Sequence, residues 1–290
     1  MAEVAPLFYE LRGDAGPTVA FLHALPHDLT CWTYQTAHFS DRFRTVAIDL
    51  PGHGRSPGAP PGMAMPDVAR ACWAAIDAAS AGSRVPPGDL RVPPGDLRVP
   101  PGDWTEPIIL VGLSVGAITA KHMVGLRPQG VRALVLNGGG YIEGRKGIAA
   151  RHVAAYRADG ARHKREHLAS NFSEAFRATP LADYLIELVL SRRDPGDVAG
   201  TIALLEALDA PDPDGLHERI RVPTLVVAGG EDRSIDRQRE LARRISGAEL
   251  HVIEGAGHSC NLERPWEYDR AVIEFLARTG AFGRGGAIAR

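Results

Sequence analysis

The sequence predicts an α/β protein built on an open, mostly parallel, doubly wound sheet. Short apolar runs rich in Val, Ile and Leu recur along the chain, and segments with helical patterning separate them. The runs are continuous rather than alternating, as expected of strands covered on both faces of a parallel sheet. Strand–helix alternation implies the doubly wound arrangement, in which ligands sit outside the carboxyl ends of the strands.

In chain order, the strand candidates are Thr18–His23, Arg44–Asp49, Pro107–Gly112, Arg132–Asn137, Pro223–Gly229 and Glu249–Glu254. Helical patterns occupy Pro66–Ser80, Val115–Leu126, Asp236–Ile245 and Trp266–Thr279. Two regions break the alternation. Arg84–Trp104 repeats RVPPGD three times. Its paired prolines remove backbone donors and favour extended geometry, so it reads as an inserted loop. It follows a helix that returns to the amino ends of the strands, so it belongs on the face opposite the active site. The second region, 138–216, carries helical patterns but no convincing strand, and is punctuated by Pro180, Asp194-Pro195 and Ala210-Pro211-Asp212-Pro213. It leaves the carboxyl end of one strand and returns before another, which places it as a helical cap roofing the substrate pocket. The expected organisation is a core of residues 1–137 and 217–290 with a cap over 138–216. The Gly- and Arg-rich tail, Gly280–Arg290, is expected to fray.

A chain of 290 residues suits one large domain with an insertion. Its net charge of −2 gives no basic excess for nucleic acid or an anionic membrane. No uncharged apolar run is long enough to span a bilayer, and the acidic residues near the N-terminus do not fit a signal peptide. A soluble, cytoplasmic protein acting on a small molecule is expected, with no signature of oligomeric state. Cys31, Cys72 and Cys260 are an odd, sparse set, which argues against a disulfide framework; C-x-x-C spacing is absent.

The central chemical signal is Ile108-Ile109-Leu110-Val111-Gly112-Leu113-Ser114-Val115-Gly116, in which an apolar strand runs into G-x-S-x-G and a helix follows. That is the context of a nucleophile elbow. The sharp turn brings strand and helix backbones together, which Gly112 and Gly116 permit because they lack Cβ. It lifts the Ser114 hydroxyl above the sheet. A serine hydroxyl needs a base. Of eleven histidines, His258 stands in Gly255-Ala256-Gly257-His258-Ser259, after the last strand candidate and before the last helix. The imidazole in turn needs an acid to hold its tautomer. Gly229-Gly230-Glu231-Asp232 closes the strand from Pro223, so Asp232 is the expected acid, with Glu231 its rival and helix capping the alternative role. Other reactive residues read as structural: His53 in a tight turn, Trp32 in packing, Cys260 in packing, and Arg162-His163-Lys164-Arg165-Glu166-His167 as a solvated helix face.

The order Ser, Asp, His resembles that of the α/β-hydrolase fold family. So do Thr18–His23 before an oxyanion loop, Ala47-Ile48-Asp49-Leu50-Pro51-Gly52-His53-Gly54-Arg55-Ser56 after the next strand, and the three triad segments. The resemblance covers nearly the whole chain outside the cap and the proline repeat. It implies a cap inserted after the sixth core strand and an oxyanion hole made by the N–H groups of Val115 and Leu25. Two residues depart from the pattern: Ala24 follows His23 where relatives have glycine, and Ala117 follows the elbow. If the turn after His23 needs positive φ, Ala24 is strained or the loop is arranged differently.

The resemblance implies acyl transfer to water through an acyl-enzyme, with no cofactor and no metal. Gly-Leu-Ser with a compact helical cap resembles 3-oxoadipate enol-lactonases and small carboxylesterases, so an ester or lactone substrate is expected. Carbon–carbon bond hydrolysis, perhydrolysis and hydroxynitrile lysis use similar triads and remain alternatives, as does a non-enzymatic small-molecule receptor of the same fold. An interaction protein organised around the proline repeat is a third class. Ser114 disfavours haloalkane dehalogenase and epoxide hydrolase chemistry, whose nucleophile is aspartate.

Overall fold

The computed structural model describes residues 4–60, 62–81, 106–139, 148–192, 198–209, 213 and 215–282. The proline repeat at 84–104 lies outside these residues, as do most of the tail and parts of the cap region. Along the chain run β1 (Tyr9–Arg12), β2 (Thr18–Leu22), α1 (Thr33–Phe39), β3 (Arg44–Ile48), α2 (Met65–Ser80), β4 (Ile108–Leu113), α3 (Val115–Leu126) and β5 (Val131–Asn137). Five helices follow: α4 (Ile148–Ala158), α5 (Gly160–Ser170), α6 (Glu174–Arg177), α7 (Pro180–Ser191) and α8 (Ala199–Leu208). The chain then returns through β6 (Thr224–Gly229), α9 (Ile235–Arg244), β7 (Glu249–Ile253), α10 (Cys260–Glu263) and α11 (Pro265–Arg278).

The strands form one sheet in the order β1-β3-β2-β4-β5-β6-β7. Only the β1–β3 pairing is antiparallel. All six expected strands form within a residue or so of their expected bounds. β1 was not anticipated: Tyr-Glu-Leu-Arg is short, half polar and at an edge. The expectation that every strand is covered on both faces fails at β7, whose first three residues are exposed because the strand is the other edge. Counted along the described residues, the helical insertion follows the fifth strand, β5.

Side chains of the central strands alternate between two apolar clusters, one per face, which explains their continuous apolar sequence. Ala20, Leu22, Val46, Ile48, Leu110, Leu134, Leu136 and Val226 pack with α2, α3 and Leu241 of α9. Val19, Phe21, Ala47, Ile109, Val111, Val135, Leu225 and Val227 pack on the opposite face with Phe39 of α1 and Val272 and Phe275 of α11. Each fully buried aliphatic side chain of this set contributes about 1.5–3 kcal/mol relative to exposure. This rigid double layer fixes the rim on which the loops after β2, β4, β5, β6 and β7 lie side by side.

Three of the inserted helices, α5, α6 and α7, start at side-chain caps. The carboxylate of Asp159 accepts the Arg162 N–H at the start of α5. Thr179 caps α7, which opens on Pro180, a residue suited to a first helical position. At one point the insertion meets the core backbone to backbone: Gly52, in the loop after β3, and Gly200, in the first turn of α8, are so close that a Cβ on either would overlap the other. Beside them the His53 ring bonds the Pro51 carbonyl and the Thr201 hydroxyl, each at 3.0 Å, and stays buried. His53 is thus a clasp between core and insertion, in keeping with its structural reading. No helix among the described residues is long and apolar enough to cross a membrane.

Candidate active site

β4 ends at Leu113, which pairs in register with Asn137 of β5. The chain then turns sharply: Ser114 has φ 54° and ψ −113°, and among the described residues it is the one non-glycine at positive φ. Such a backbone costs on the order of 1–3 kcal/mol and persists only where its surroundings enforce it. Here the Ser114 N–H donates to the Asn137 carbonyl at 2.7 Å. The elbow closes because a Cβ at Gly112 would overlap the backbone of Gly116 and Ala117, and one at Gly116 the carbonyls of Leu22 and His23. Val115 begins α3, so its N–H is among the first four helix amides, which have no acceptor within the helix.

Asp232 follows β6 and is buried. Its Oδ1 accepts the Ser234 N–H at 2.7 Å and the Ser234 hydroxyl at 2.9 Å, ahead of α9. Its Oδ2 lies 2.8 Å from Nδ1 of His258, in the loop after β7. The carboxylate therefore serves both the turn into α9 and the imidazole. Glu231, the rival acid, is exposed, and its place in the turn is fixed by its backbone N–H, which donates to the Ala256 carbonyl at 2.9 Å. Burial pushes the Asp232 carboxyl up, but the adjoining His258 and the two Ser234 donors outweigh it and hold its pKa down at about 2. Burial likewise disfavours charged His258, yet the Asp232 carboxylate and its hydrogen bond prevail and raise the imidazole above 6.5.

Ser114, Asp232 and His258 all line one cavity of about 750 Å³, together with Val115 and Leu25. Its other wall comes from the inserted helices, including Ala149, His152, His167, Asn171, Phe172 and Leu205. The Asp232–His258 half of a relay is formed, and the Ser114 hydroxyl opens into the same space.

The loop after β2 is arranged without strain at Ala24, which is not among the positive-φ residues. Buried His23 holds the loop instead. Its Nδ1–H donates to the Ala24 carbonyl at 2.8 Å, and its Nε2 accepts the Leu50 N–H at 2.8 Å. Burial lowers its pKa to about 4, which keeps that neutral tautomer. The Leu25–Pro26 peptide is cis, and the Leu25 carbonyl accepts a bond from the Asn171 side chain at 3.3 Å.

Two positioning residues escaped sequence reasoning. Glu263, on α10, accepts the Gly257 N–H at 2.9 Å and the Ser173 N–H at 3.0 Å on one oxygen, and the Ser173 hydroxyl at 2.6 Å on the other. Asn171 accepts the Ser259 N–H on its backbone carbonyl at 2.8 Å. The residues on both sides of His258 are thus tied to the start of the α5–α6 connection. One expectation is corrected: the run 162–167 is not uniformly a solvated face. Arg162, Arg165 and Glu166 are exposed, but Lys164 is buried, and His163 and His167 are half-buried against His152, because the helix packs on α4. Cys260 is buried with its thiol 3.6 Å from Asn137 Oδ1, consistent with packing. Trp32 is fully buried against Phe21 and Tyr268.

A serine on a strained strand–helix turn and an aspartate-paired histidine thus share one cavity at the carboxyl ends of the strands. The chain belongs to the alpha/beta hydrolase family, whose sequence model matches residues 19–268. It is 32% identical over 227 residues to a pimeloyl-[acyl-carrier protein] methyl ester esterase of Neisseria meningitidis serogroup A, covering 73% of this chain and 62% of that protein. The serogroup C counterpart is 31% identical over 227 residues, with 75% of its length covered. Among solved structures, a thermophilic esterase from Thermogutta terrifontis superposes with a TM-score of 0.74 at 26% identity, covering 94% of this chain and 93% of that one. The enol-lactonase from Burkholderia xenovorans LB400 superposes with a TM-score of 0.75 at 22% identity, over 93% and 96% of the two chains, and so shares the fold.

Proposed function

We propose that this chain hydrolyses an ester or lactone bond of a small molecule through Ser114, His258 and Asp232, by way of an acyl-enzyme. The observation that carries the reading is the 2.8 Å Asp232–His258 pair facing the same cavity as the strained Ser114. With Nδ1–H donated to Asp232, the His258 Nε2 lone pair is the basic site. It takes the Ser114 proton as Oγ attacks the carbonyl carbon, and the Asp232 carboxylate stabilises the imidazolium that forms.

The negative charge then develops on the carbonyl oxygen. The N–H of Val115 and that of Leu25 stabilise it, and losing one such donor costs about 3–4 kcal/mol of transition-state stabilisation. Protonated His258 returns its proton to the leaving alkoxide. Water, activated by the same imidazole, cleaves the acyl-enzyme and restores Ser114. The scheme draws on no cofactor. Helices α4–α8 act as the cap that selects the acyl group. The two esterase relatives, whose names specify a methyl ester of an acyl chain, support an ester as the bond cleaved.

A fluorophosphonate should label the wild-type chain at Ser114 and leave Ser114→Ala unlabelled. A panel of p-nitrophenyl esters and lactones should be turned over only by the former. Undiminished ester hydrolysis by Ser114→Ala overturns the scheme.

A further inference from the structure

Three imidazoles from two helices meet at the wall of the cavity. His163 and His167 lie four residues apart on α5 and so share a face, and His152 reaches them from α4. Each offers one nitrogen, and the three nitrogens all lie within 4.8 Å of one another. His152 Nδ1 is 3.1 Å from His163 Nε2, and the His152 and His167 rings stack with centroids 4.5 Å apart. His152 and His167 both line the cavity.

We propose that His152, His163 and His167 form a binding site for one divalent transition-metal ion of the zinc class, with its remaining coordination position turned toward the cavity. The donor set selects the ion. Imidazole nitrogen suits Zn²⁺, Co²⁺, Ni²⁺ and Cu²⁺, whereas Mg²⁺ and Ca²⁺ require oxygen ligands. Three histidines leave a fourth position of a tetrahedral ion for water or an anionic group of a bound molecule.

The surroundings are those a metal-binding imidazole uses. His167 Nδ1 lies 2.9 Å from the Tyr156 hydroxyl, and His163 Nδ1 lies 3.9 Å from a Glu166 carboxylate oxygen. The Tyr156 hydroxyl, at hydrogen-bond distance, is the kind of outer partner that fixes a ligand tautomer and raises its basicity, whereas Glu166 acts on His163 only as a nearby charge. A tetrahedral ion with 2.0–2.1 Å bonds places its nitrogens roughly 3.3 Å apart. The cluster reaches that spacing by side-chain rotations that open the His152–His167 stack. Arg151, also on the cavity wall, opposes a dication; the nearby Glu166 carboxylate is shared with Arg162, 2.8 Å away.

The test is a titration of the full chain, stripped by chelator, with Co²⁺ and then Zn²⁺, followed by visible absorption. One equivalent of Co²⁺ should produce the intense bands of a four-coordinate centre, and Zn²⁺ should displace it. His152→Ala and His163→Ala should lose the bands, and His258→Ala should retain them. Tyr156→Phe should weaken binding about 10–100-fold. If circular dichroism shows an alanine variant unfolded, His163→Gln gives the same readout. Absence of a spectrum in the wild type, its survival in His152→Ala, or its loss in His258→Ala, which would put the ion at the triad, overturns the proposal.

Discussion

The carboxylate of Glu263 accepts the backbone N–H of Gly257, 2.9 Å away, and so fixes the residue just before His258. The same side chain takes both the N–H and the hydroxyl of Ser173. Removing it leaves three inward-facing donors without their acceptor, at about 1–3 kcal/mol for each one that stays buried and unpaired. Glu263→Ala should lower the melting temperature and reduce kcat by misplacing the imidazole. Glu263→Gln, whose amide oxygen still accepts the two N–H groups, should recover most of both. Equal kcat in all three proteins would show that Glu263 does not position His258.

The Asp232–His258 pair gives opposite pH dependences to activity and stability. The base must be neutral, so the acid limb of kcat/KM should lie above 6.5, the ordinary imidazole value, because the His258 pKa is raised. The stabilising contribution of Asp232, whose pKa is depressed, is present above 3.8 and lost as pH falls toward about 2. That of His258 is full below 6.5 and lost as pH rises through its raised value. The pair therefore stabilises the fold most between these ranges, where the base is already protonated. In Asp232→Asn the carboxylate charge that raises the imidazole is gone, so the limb should move to lower pH while kcat falls on the order of 10⁴-fold. A pH–rate profile for both proteins checks this.

Gly116→Ala should be more damaging than its one added methyl suggests. The new Cβ meets the backbone carbonyls of Leu22, at the end of β2, and of His23, just after it, which cannot swing away as a side chain could. Overpacking of this kind costs about 1–3 kcal/mol, sometimes more. The expected result is a lower denaturant midpoint together with loss of fluorophosphonate labelling.

His53→Ala separates a clasp from a catalyst. It removes two hydrogen bonds, to Pro51 and Thr201, each contributing about 0.5–1.5 kcal/mol. The melting temperature should fall, yet the variant should still react with a fluorophosphonate at Ser114. His258→Ala should be inert to the same probe. Loss of labelling in folded His53→Ala would give His53 a part in the chemistry.

The sheet was readable because its central strands are buried on both faces and therefore uninterrupted in their apolar character. Tyr9–Arg12 escaped for the converse reason: an edge strand pairs on one side and keeps polar residues. Ser114 and His258 stand in local patterns that require a particular turn, so their positions could be assigned from neighbours alone. Asp232 is preferred to Glu231 on its position after the strand and the spacing of the resemblance; what the sequence does not show is that the Asp232 side chain is buried against His258 while Glu231 is exposed. Glu263, Asn171 and the three-histidine cluster depend on pairings between distant segments. The spacing of His163 and His167 is visible in the sequence, but nothing local says that α4 delivers His152 to meet them.

The contact of Gly52 with Gly200 has a consequence for anyone who would rebuild this protein. Exchanging the roof for one from a related chain is a natural route to a new specificity, yet the two backbones abut where neither tolerates even a methyl group. A transplanted segment must therefore bring its own glycine to that position, or the graft will be pried off its foundation before it meets a substrate.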